Sequence, residues 1–392
     1  MYVRPPQQTP LFLAFAVLVA CGDSSATTET DATTDATSDS DGSEGGTDQN
    51  DRDLGDSASA ECEAAMIALP GFVAAAGDAS AMTSAYQGAL QELVRRFDSE
   101  SGRSDDADVV TALADGSPEA LVDAEIAVYR GIVEALRSYV GAPEGGAEDP
   151  YTPWDDAHCL WSGALQERAV AAEGWTGEDI VGPVDAAFQA GHDGFVGEPP
   201  AGLDEWMVYP AKQVTEKSQY RVIHRHVIHY ATLARDDVDA LAARRALRWF
   251  EVFSHRLEGR NDAGITVITD MLSGDPAAID PAVIVRELNV AFAMRTRGYA
   301  SASLDAGELG VPNGYKAASE GEIYNTLLYP DMTAQLPGFA QASHEQLWAD
   351  YKQGLRDDDF AAAEAASDAL VEALCSYQVD VLGLAECKSG SD

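Results

Sequence analysis

The chain has 392 residues, and its 25 lysines and arginines stand against 66 aspartates and glutamates, which gives a formal net charge of −41. This balance excludes a nucleic-acid-binding protein that works through a basic surface, because phosphate binding requires clustered Lys and Arg. It also excludes adsorption to anionic lipid through a basic face. Apolar residues make up 46% of the sequence, an ordinary share for a globular protein, so most of the length has the composition to build a core.

The N-terminus has the pattern of an export signal. Arg4 is the single charge among the first ten residues, and ten apolar residues follow without interruption from Leu11 to Ala20. Such a run is too short to cross a bilayer as a helix, which takes about 20 residues, but it suits the apolar core of a signal peptide. We therefore expect residues 1–20 to be a signal peptide.

The apolar run ends in Leu18-Val19-Ala20-Cys21-Gly22, which resembles the lipobox of bacterial lipoproteins. The resemblance implies that Cys21 carries a lipid and becomes the first residue of the mature chain. It further implies an exported protein held at a membrane by this lipid, in the outer membrane or at the cell surface rather than in the inner membrane. The alternative is a chance cysteine that follows an ordinary signal peptide.

Residues 21–60 have the composition of a disordered tether. From Gly22 to Ala60 the sequence is rich in Ser, Thr, Asp and Gly, and eleven acidic residues accompany one base, Arg52. A segment with so few apolar residues cannot bury enough surface to offset the entropy lost on ordering. Its like charges extend it, so the expected role is to hold a folded domain away from a lipid surface.

Residues 61–392 predict an all-α domain. Ser117-Pro118-Glu119 has the pattern of a helix start, and apolar residues then recur at three- and four-residue steps until Gly141. Asp280-Pro281 predicts a second start, with a helix through Phe292. Alternating strand segments and tight hairpin turns are missing from the pattern. The whole stretch predicts a helical bundle of about nine or ten helices.

Two further helices are predicted near the C-terminus. A separate segment suggests that the helical domain is divided into two parts. Ser343 with Gln346 has the spacing of a capping box, and Phe360 to Val381 is Ala-rich and periodic. Residues 196–212 contain several Gly and Pro residues, which end helices. They mark either a boundary between two packed sub-bundles or a long loop inside one bundle.

Four cysteines follow Cys21, and an even number in an exported protein predicts two disulfides. Three pairings are possible. Cys375 and Cys387 would lie about 18 Å apart in a continuous helix, so they can pair only if the chain reverses near Gly383. Because the two ends of a domain often lie close together, the pairing Cys62–Cys387 with Cys159–Cys375 is favoured.

Two histidines on one predicted helix are candidates for a metal site. His226 and His229 lie about 60° apart around the helix axis, at the edge of an apolar face that buries His226. His224 points in another direction and is expected to be solvated. The alternative for His226 is a core histidine that hydrogen-bonds a carbonyl or a carboxylate.

The next predicted helix carries Glu251, His255 and Glu258 on one stripe, because their spacing is four and three residues. Carboxylates and imidazole at this spacing can bind a divalent metal. Arg244 and Arg248 share the stripe, so the alternative is a solvated, salt-bridged face. If the two helices fold back on each other, both groups come to similar heights.

His255-Arg-Leu-Glu258 resembles part of the G-x-H-x-x-E motif of imelysin-like proteins, although Phe253 stands where the motif has glycine. That family comprises exported, all-helical proteins linked to iron uptake, so the resemblance implies iron as the metal.

Two other histidines are weaker candidates. His158 follows Asp155 by three residues, and His192 is expected to be exposed in a loop.

The signature motifs of serine hydrolases, zinc proteases and nucleotide-binding enzymes are absent from the sequence. The leading hypothesis is therefore an extracytoplasmic binding protein, anchored by lipid, whose ligand is a divalent metal such as iron or zinc. The alternative is a structural or protein-interaction lipoprotein of the envelope without a small-molecule site. A helical hydrolase is the third hypothesis.

Overall fold

The computed structural model describes residues 52–197, 199 and 201–390, and these ranges confirm the all-α prediction. They form fifteen α-helical segments, of which ten have thirteen residues or more. The ten longer segments match the predicted number, and the five shorter ones lie between them. Cys21, the predicted signal peptide and most of the predicted tether fall outside the described residues.

The helices follow one another in this order: α1 (Ala60–Ala74), α2 (Ala79–Tyr86), α3 (Ala89–Ser101), α4 (Asp105–Asp115), α5 (Pro118–Gly141), α6 (Tyr151–Leu160), α7 (Gln166–Thr176), α8 (Val181–Asp193), α9 (Glu205–Asp237), α10 (Ala240–Phe253), α11 (Asp262–Ser273), α12 (Pro281–Asp305), α13 (Pro312–Gln335), α14 (Gln341–Arg356) and α15 (Phe360–Ser376). A π-helical turn, Trp161–Leu165, joins α6 to α7, and a second, Tyr377–Val381, continues α15. Two short strands, β1 (Phe195–Val196) and β2 (Gly202–Leu203), pair antiparallel before α9.

Local capping explains several of these boundaries. Ser117 accepts a hydrogen bond from the amide of Ala120, as the predicted start of α5 requires. Asp280 caps α12 in the same way, but that helix continues past Phe292 to Asp305. The capping box predicted at Ser343 is wrong, because α14 begins two residues earlier without a side-chain cap.

The segment 196–212 holds the short hairpin and the first two turns of α9. Asp204 caps this helix through the amide of Trp206, and Pro210 lies inside it. At its other end Val238 adopts a left-handed conformation with φ 52°, and Asp239 caps α10. The chain therefore reverses between α9 and α10, which meets the condition that the sequence analysis set, and the two helices pack against each other.

Helix α9 lies at the centre of the packing. It contacts α5, α7, α8, α10, α12 and α13, so helices from both sides of the 196–212 segment share one core. The largest fully buried side chains of that core are aromatic and include Trp154, Trp161, Trp249 and Trp348. None of the helices in the described ranges combines the length and the apolar composition that crossing a bilayer requires.

The two predicted disulfides are present, but the favoured pairing was wrong. Cys62 is bonded to Cys159, and Cys375 is bonded to Cys387. The second bond forms because Gly383 has φ 75°, which reverses the chain just where the prediction required a reversal. Proximity of the two ends of the domain therefore did not decide the pairing. Local chain reversal brings Cys375 to Cys387, and tertiary packing brings Cys62 to Cys159.

The last residues of the predicted tether are ordered against α6. The amide of Ser57 donates to Asp155 at 2.8 Å, and the amide of Ser59 donates to Asp156 at 2.7 Å. Both carboxylates are buried, so they satisfy backbone groups that enter the fold here. Asp155 thus anchors the chain before α1, and the folded part begins before residue 61.

Candidate binding site

The middle of α9 carries polar side chains where a central helix normally carries apolar ones. Seven of the eight residues from 213 to 220 have a polar group and are at most 6% exposed: Gln213, Thr215, Glu216, Lys217, Ser218, Gln219 and Tyr220. Neighbouring helices cover this stretch on several faces, and its one half-buried residue, Val214, lies with Ser218 along an open groove. Taking charged groups out of water costs several kcal/mol per ion unless partners compensate, so the partners decide what the site is.

The partners come from four further elements. We define the polar centre as Glu216, Lys217 and Tyr220 of α9 together with Arg137 of α5, Arg256 of the turn after α10, Arg295 of α12, and Glu320 and Tyr324 of α13. The set brings together residues up to 187 positions apart in sequence, from Arg137 to Tyr324. It is therefore a product of tertiary packing.

A continuous series of ion pairs runs through the polar centre. The Lys217 Nζ atom lies 2.6 Å from Glu216 and 3.5 Å from Glu320. Arg137 approaches Glu216 at 3.5 Å, and Arg295 approaches Glu320 at 3.8 Å. The ion pairs thus connect α5, α9, α12 and α13 through their side chains.

The pKa shifts of the central pair show what each charge depends on. Burial raises the pKa of Glu216, but Lys217, followed by Lys212 and Arg137, outweighs burial and holds the pKa below its usual value. Burial lowers the pKa of Lys217, and the attraction of Glu216 and Glu320 opposes that change only in part. Each ion is therefore kept charged by its partners rather than by water.

Basic groups outnumber acidic ones around the polar centre. Lys212 and Lys316 both bind Glu144, and Arg137 binds Glu134 at 2.7 Å. With these neighbours included, the described part of the chain supplies six basic residues and four glutamates here: Arg137, Lys212, Lys217, Arg256, Arg295 and Lys316, against Glu134, Glu144, Glu216 and Glu320.

Two tyrosines and two arginines of the polar centre contact one another through their aromatic rings and guanidinium groups. The rings of Tyr220 and Tyr324 stack with centroids 6.3 Å apart. The Arg256 guanidinium lies 4.7 Å over the Tyr220 ring, and that of Arg295 lies 4.8 Å over the Tyr324 ring. Such cation–π contacts hold the guanidinium groups in place without neutralising them.

His255, the residue before Arg256, is half-buried, and arginine side chains affect its pKa. Burial lowers its pKa first, and nearby guanidinium groups lower the pKa further, to about 4: those of Arg256, Arg137, Arg103 and Arg295. The imidazole is therefore neutral at physiological pH.

The first pair of predicted metal ligands lies elsewhere. His226 is fully buried, and its Nε2 atom is 3.1 Å from the carbonyl oxygen of Arg168, which is the contact of a core histidine. Burial lowers its pKa to about 3. The His229 ring stacks on Trp175 at a centroid distance of 3.6 Å. Both rings therefore pack against aromatic and backbone groups.

The second group of predicted metal ligands, Glu251, His255 and Glu258, does not lie along one face of a single helix. Helix α10 ends at Phe253, so His255 lies in a 3₁₀ turn and Glu258 lies exposed after it. Glu251 remains helical and pairs with Arg248 at 2.6 Å, as the salt-bridged alternative predicted. Within the ranges that the structure describes, no group of three or more His, Cys, Asp or Glu side chains has the arrangement to hold a metal ion.

Two other histidine predictions were wrong about exposure. His224 is 1% exposed, because packing surrounds α9 there, and its Nδ1 atom lies 2.8 Å from Arg225. His192 belongs to α8 and is 5% exposed, against the ring of Tyr151. In both cases the neighbouring helices, rather than the local sequence, determine burial.

Sequence analysis missed Lys217, Arg256 and their partners. The available signal was the segment Thr215-Glu-Lys-Ser-Gln-Tyr220, six residues without an apolar periodicity inside a 33-residue helix. A helix with no apolar stripe is normally solvated on that stretch. Only the covering helices show that this stretch is buried.

Comparison of the chain with protein-family models, with curated proteins and with solved structures finds no match.

Proposed function

We propose that this chain is an extracytoplasmic binding protein, anchored through a lipid on Cys21, whose ligand-binding site is the polar centre of its helical bundle. The lipobox-like sequence and the acidic segment after it support the anchor. The disulfides Cys62–Cys159 and Cys375–Cys387 support an oxidising compartment, since such bonds are rare in a reducing cytosol.

One observation carries the binding role: seven of eight consecutive residues of the central helix bury polar groups among charged partners. Well-packed apolar residues of similar volume are often as stabilising as a buried ion pair, or more so. A bundle that served only as a scaffold would gain no stability from this arrangement. Strongly perturbed charged groups concentrated in one place are typical of functional sites.

The structure changes which ligand the site favours. Of the five residues predicted to bind a metal, His226, His229 and Glu251 are held by separate contacts, and Glu258 is exposed. The polar centre has more cations than carboxylates, and carboxylates are what a hard divalent cation requires. We therefore assign the binding role to the polar centre and do not carry the iron or zinc hypothesis into it.

Ligand-induced stabilisation tests the binding role. Thermal melting of the mature chain would be followed with three classes of probe: oxyanions, divalent cations and neutral sugars. At least one class should raise the melting temperature of the wild type but not of a Glu216→Leu/Lys217→Met variant, which replaces the central pair by apolar groups. Arg235→Gln, at the exposed end of α9, is the matched control. Absence of stabilisation by all three classes would count against a binding site.

The anchor has its own test. The N-terminal peptide of the wild-type protein should carry a lipid on Cys21 when examined by mass spectrometry. Cys21→Ala should leave the chain unlipidated, as an uncleaved precursor or as released protein. An unmodified Cys21 within an intact precursor would contradict the anchor.

A further inference from the structure

The groove along which Val214 and Ser218 lie is a second place where a ligand can bind. Helices α8 and α13 both pack against α9, and the groove is the space between them, with a volume of about 780 Å³. The loop from α7 to α8 and the first two turns of α14 complete its lining. Its volume is typical of ligand-binding clefts, and no residue of the polar centre lines it.

A buried arginine joins the two sides of the groove. Arg225 is 5% exposed and pairs with Glu178 through contacts of 2.6 and 3.0 Å. Pro330 of α13 has no amide hydrogen, so the carbonyl oxygen of Thr326, four residues earlier, lacks a helical donor. Arg225 donates to this oxygen at 3.2 Å. The α7–α8 loop and α13 are therefore connected before any ligand arrives, which lowers the entropy lost on binding.

The basic groups near the groove are already engaged by the protein. Arg221 pairs with Glu178 at 3.0 Å and donates to the carbonyl oxygen of Asp179 at 3.0 Å. Burial raises the pKa of Glu178, but Arg225 and Arg221 outweigh burial and hold the pKa at about 2. These contacts occupy the guanidinium groups, so the groove is poorly suited to an anionic ligand.

Two carboxylates of the groove are left without a basic partner. Asp179, in the α7–α8 loop, and Glu345, in α14, are exposed and line the groove, and neither forms an ion pair with a described residue. Each accepts only a local hydrogen bond, from the amide of Gly182 and from the side chain of Gln341. Two such carboxylates on one cleft favour a ligand that carries positive charge.

Ser218 adds a buried polar group that lacks a partner. It lies on α9 between Val214 and Arg221, lines the groove with them, and is 5% exposed. Its hydroxyl makes no hydrogen bond to the described part of the chain. By contrast, the hydroxyl of Thr215 on the same helix donates to the carbonyl oxygen of Ala211 at 3.1 Å. A nearly buried hydroxyl without a partner is unfavourable, and a ligand donor in the groove would remove that cost.

We propose that the groove binds an extended organic cation, an alkyl chain that carries two or more ammonium groups. Asp179 and Glu345 pair with ammonium groups, and Ser218 accepts a hydrogen bond from the ligand. Val214 and Ile323 contact the alkyl chain, as apolar surface does with the stem of a lysine. A bare metal ion fits less well, because the described ranges hold no group of three or more His, Cys, Asp or Glu side chains arranged to bind one.

Calorimetric titration of the mature chain with small amines tests the assignment. Spermidine and cadaverine are the two amine probes, and pentanediol, which has the chain of cadaverine with hydroxyl groups in place of the amines, is the neutral control. Both amines should bind saturably, spermidine more tightly because it carries a third charge, and pentanediol should not bind.

A pair of double variants separates the groove from the general attraction of an acidic protein for cations. Asp179→Asn/Glu345→Gln removes both carboxylates with little change in shape and should weaken spermidine binding about tenfold or more. The matched control, Glu364→Gln/Asp368→Asn, makes the same two substitutions on the exposed face of α15 and should bind like the wild type. Equal weakening in the two double variants would overturn the site.

A third variant tests the groove without changing its charge. Ser218→Ala should weaken spermidine binding several-fold, whereas its melting temperature should not fall, because the hydroxyl that it removes has no partner in the described part of the chain. Unchanged binding in both Ser218→Ala and Asp179→Asn/Glu345→Gln would contradict the proposal. So would the absence of binding by both amines.

A basic peptide is the rival occupant, and tetralysine is the probe for it. If tetralysine binds more tightly than either amine and depends in the same way on Asp179 and Glu345, the assignment to a small amine is wrong. The binding role of the polar centre is tested separately, with other probes and with Glu216→Leu/Lys217→Met, so either proposal can fail without the other.

Discussion

Two consecutive stretches of α9 lie in the same core but are built differently. Residues 213–220 bury the ion pair of Glu216 and Lys217 and a series of polar groups. Residues 222–234 bury apolar side chains together with three polar ones, His224, Arg225 and His226. Arg225 contacts His224 and pairs with Glu178 at 2.6 Å. The same helix therefore has a charged half and a largely apolar half inside one core.

The comparison shows that burial alone does not tell what holds a helix in place. The apolar half is stabilised by removal of Val, Ile and Ala side chains from water, and each contributes separately. The charged half is stabilised only while all its partners are present, because an ion that loses its partner in the core retains the cost of desolvation. The two halves should therefore respond differently to mutation and to pH.

The largest effect is expected in the charged half. Glu216→Gln removes the nearest partner of Lys217, so we expect the free energy of unfolding to fall by about 3–5 kcal/mol. Urea denaturation followed by circular dichroism measures this change. The double variant Glu216→Leu/Lys217→Met removes both ions and should lose less than the single variant. A single-variant loss below about 1 kcal/mol would erase the distinction between the two halves.

A slightly smaller effect is expected in the apolar half. Ile223 is 1% exposed, and Ile223→Ala should lower the free energy of unfolding by about 3 kcal/mol through lost burial and the cavity left behind. No titrating group is removed, so the loss should be the same at pH 5 and pH 8 in urea denaturation. A loss that changed markedly between these pH values would show that the apolar half also depends on charge.

His226 provides the finest test, since it places a titratable ring in the apolar half. Burial lowers its pKa to about 3 in the folded protein, whereas the unfolded chain returns it to about 6.5. The unfolded state therefore binds a proton more readily below pH 6.5, and stability falls as the pH is lowered from about 6.5 toward 3. By pH 5 this single group should cost about 2 kcal/mol relative to pH 8.

The variant His226→Gln isolates that contribution. Its stability difference between pH 8 and pH 5 should be about 2 kcal/mol smaller than in the wild type, whatever its stability at pH 8. Urea denaturation at both pH values measures the difference. The control Arg235→Gln should show the same change in the free energy of unfolding between pH 8 and pH 5 as the wild type. An unchanged pH dependence in His226→Gln would mean that His226 is not held neutral by its surroundings.

Local features of the fold were predictable because they depend on neighbouring residues. The start of α5 follows from Ser117 and Pro118, and the burial of His226 follows from its place beside apolar neighbours one turn away. Errors arose where a distant element intervened, as at His224 and His192, which other helices cover.

The sequence by itself determined the helical class, the starts of α5 and α12, the presence of two disulfides and the lipobox-like motif, because periodicity, capping and composition act over a few residues. Tertiary structure alone decided that Cys62 pairs with Cys159 and that Glu216 and Lys217 are buried together. It also decided that Arg256 lies over the ring of Tyr220 and Arg295 over the ring of Tyr324. The physical reason is that a polar residue on a helix has the same local pattern in water as in a core, and only the helices packed over it change its surroundings.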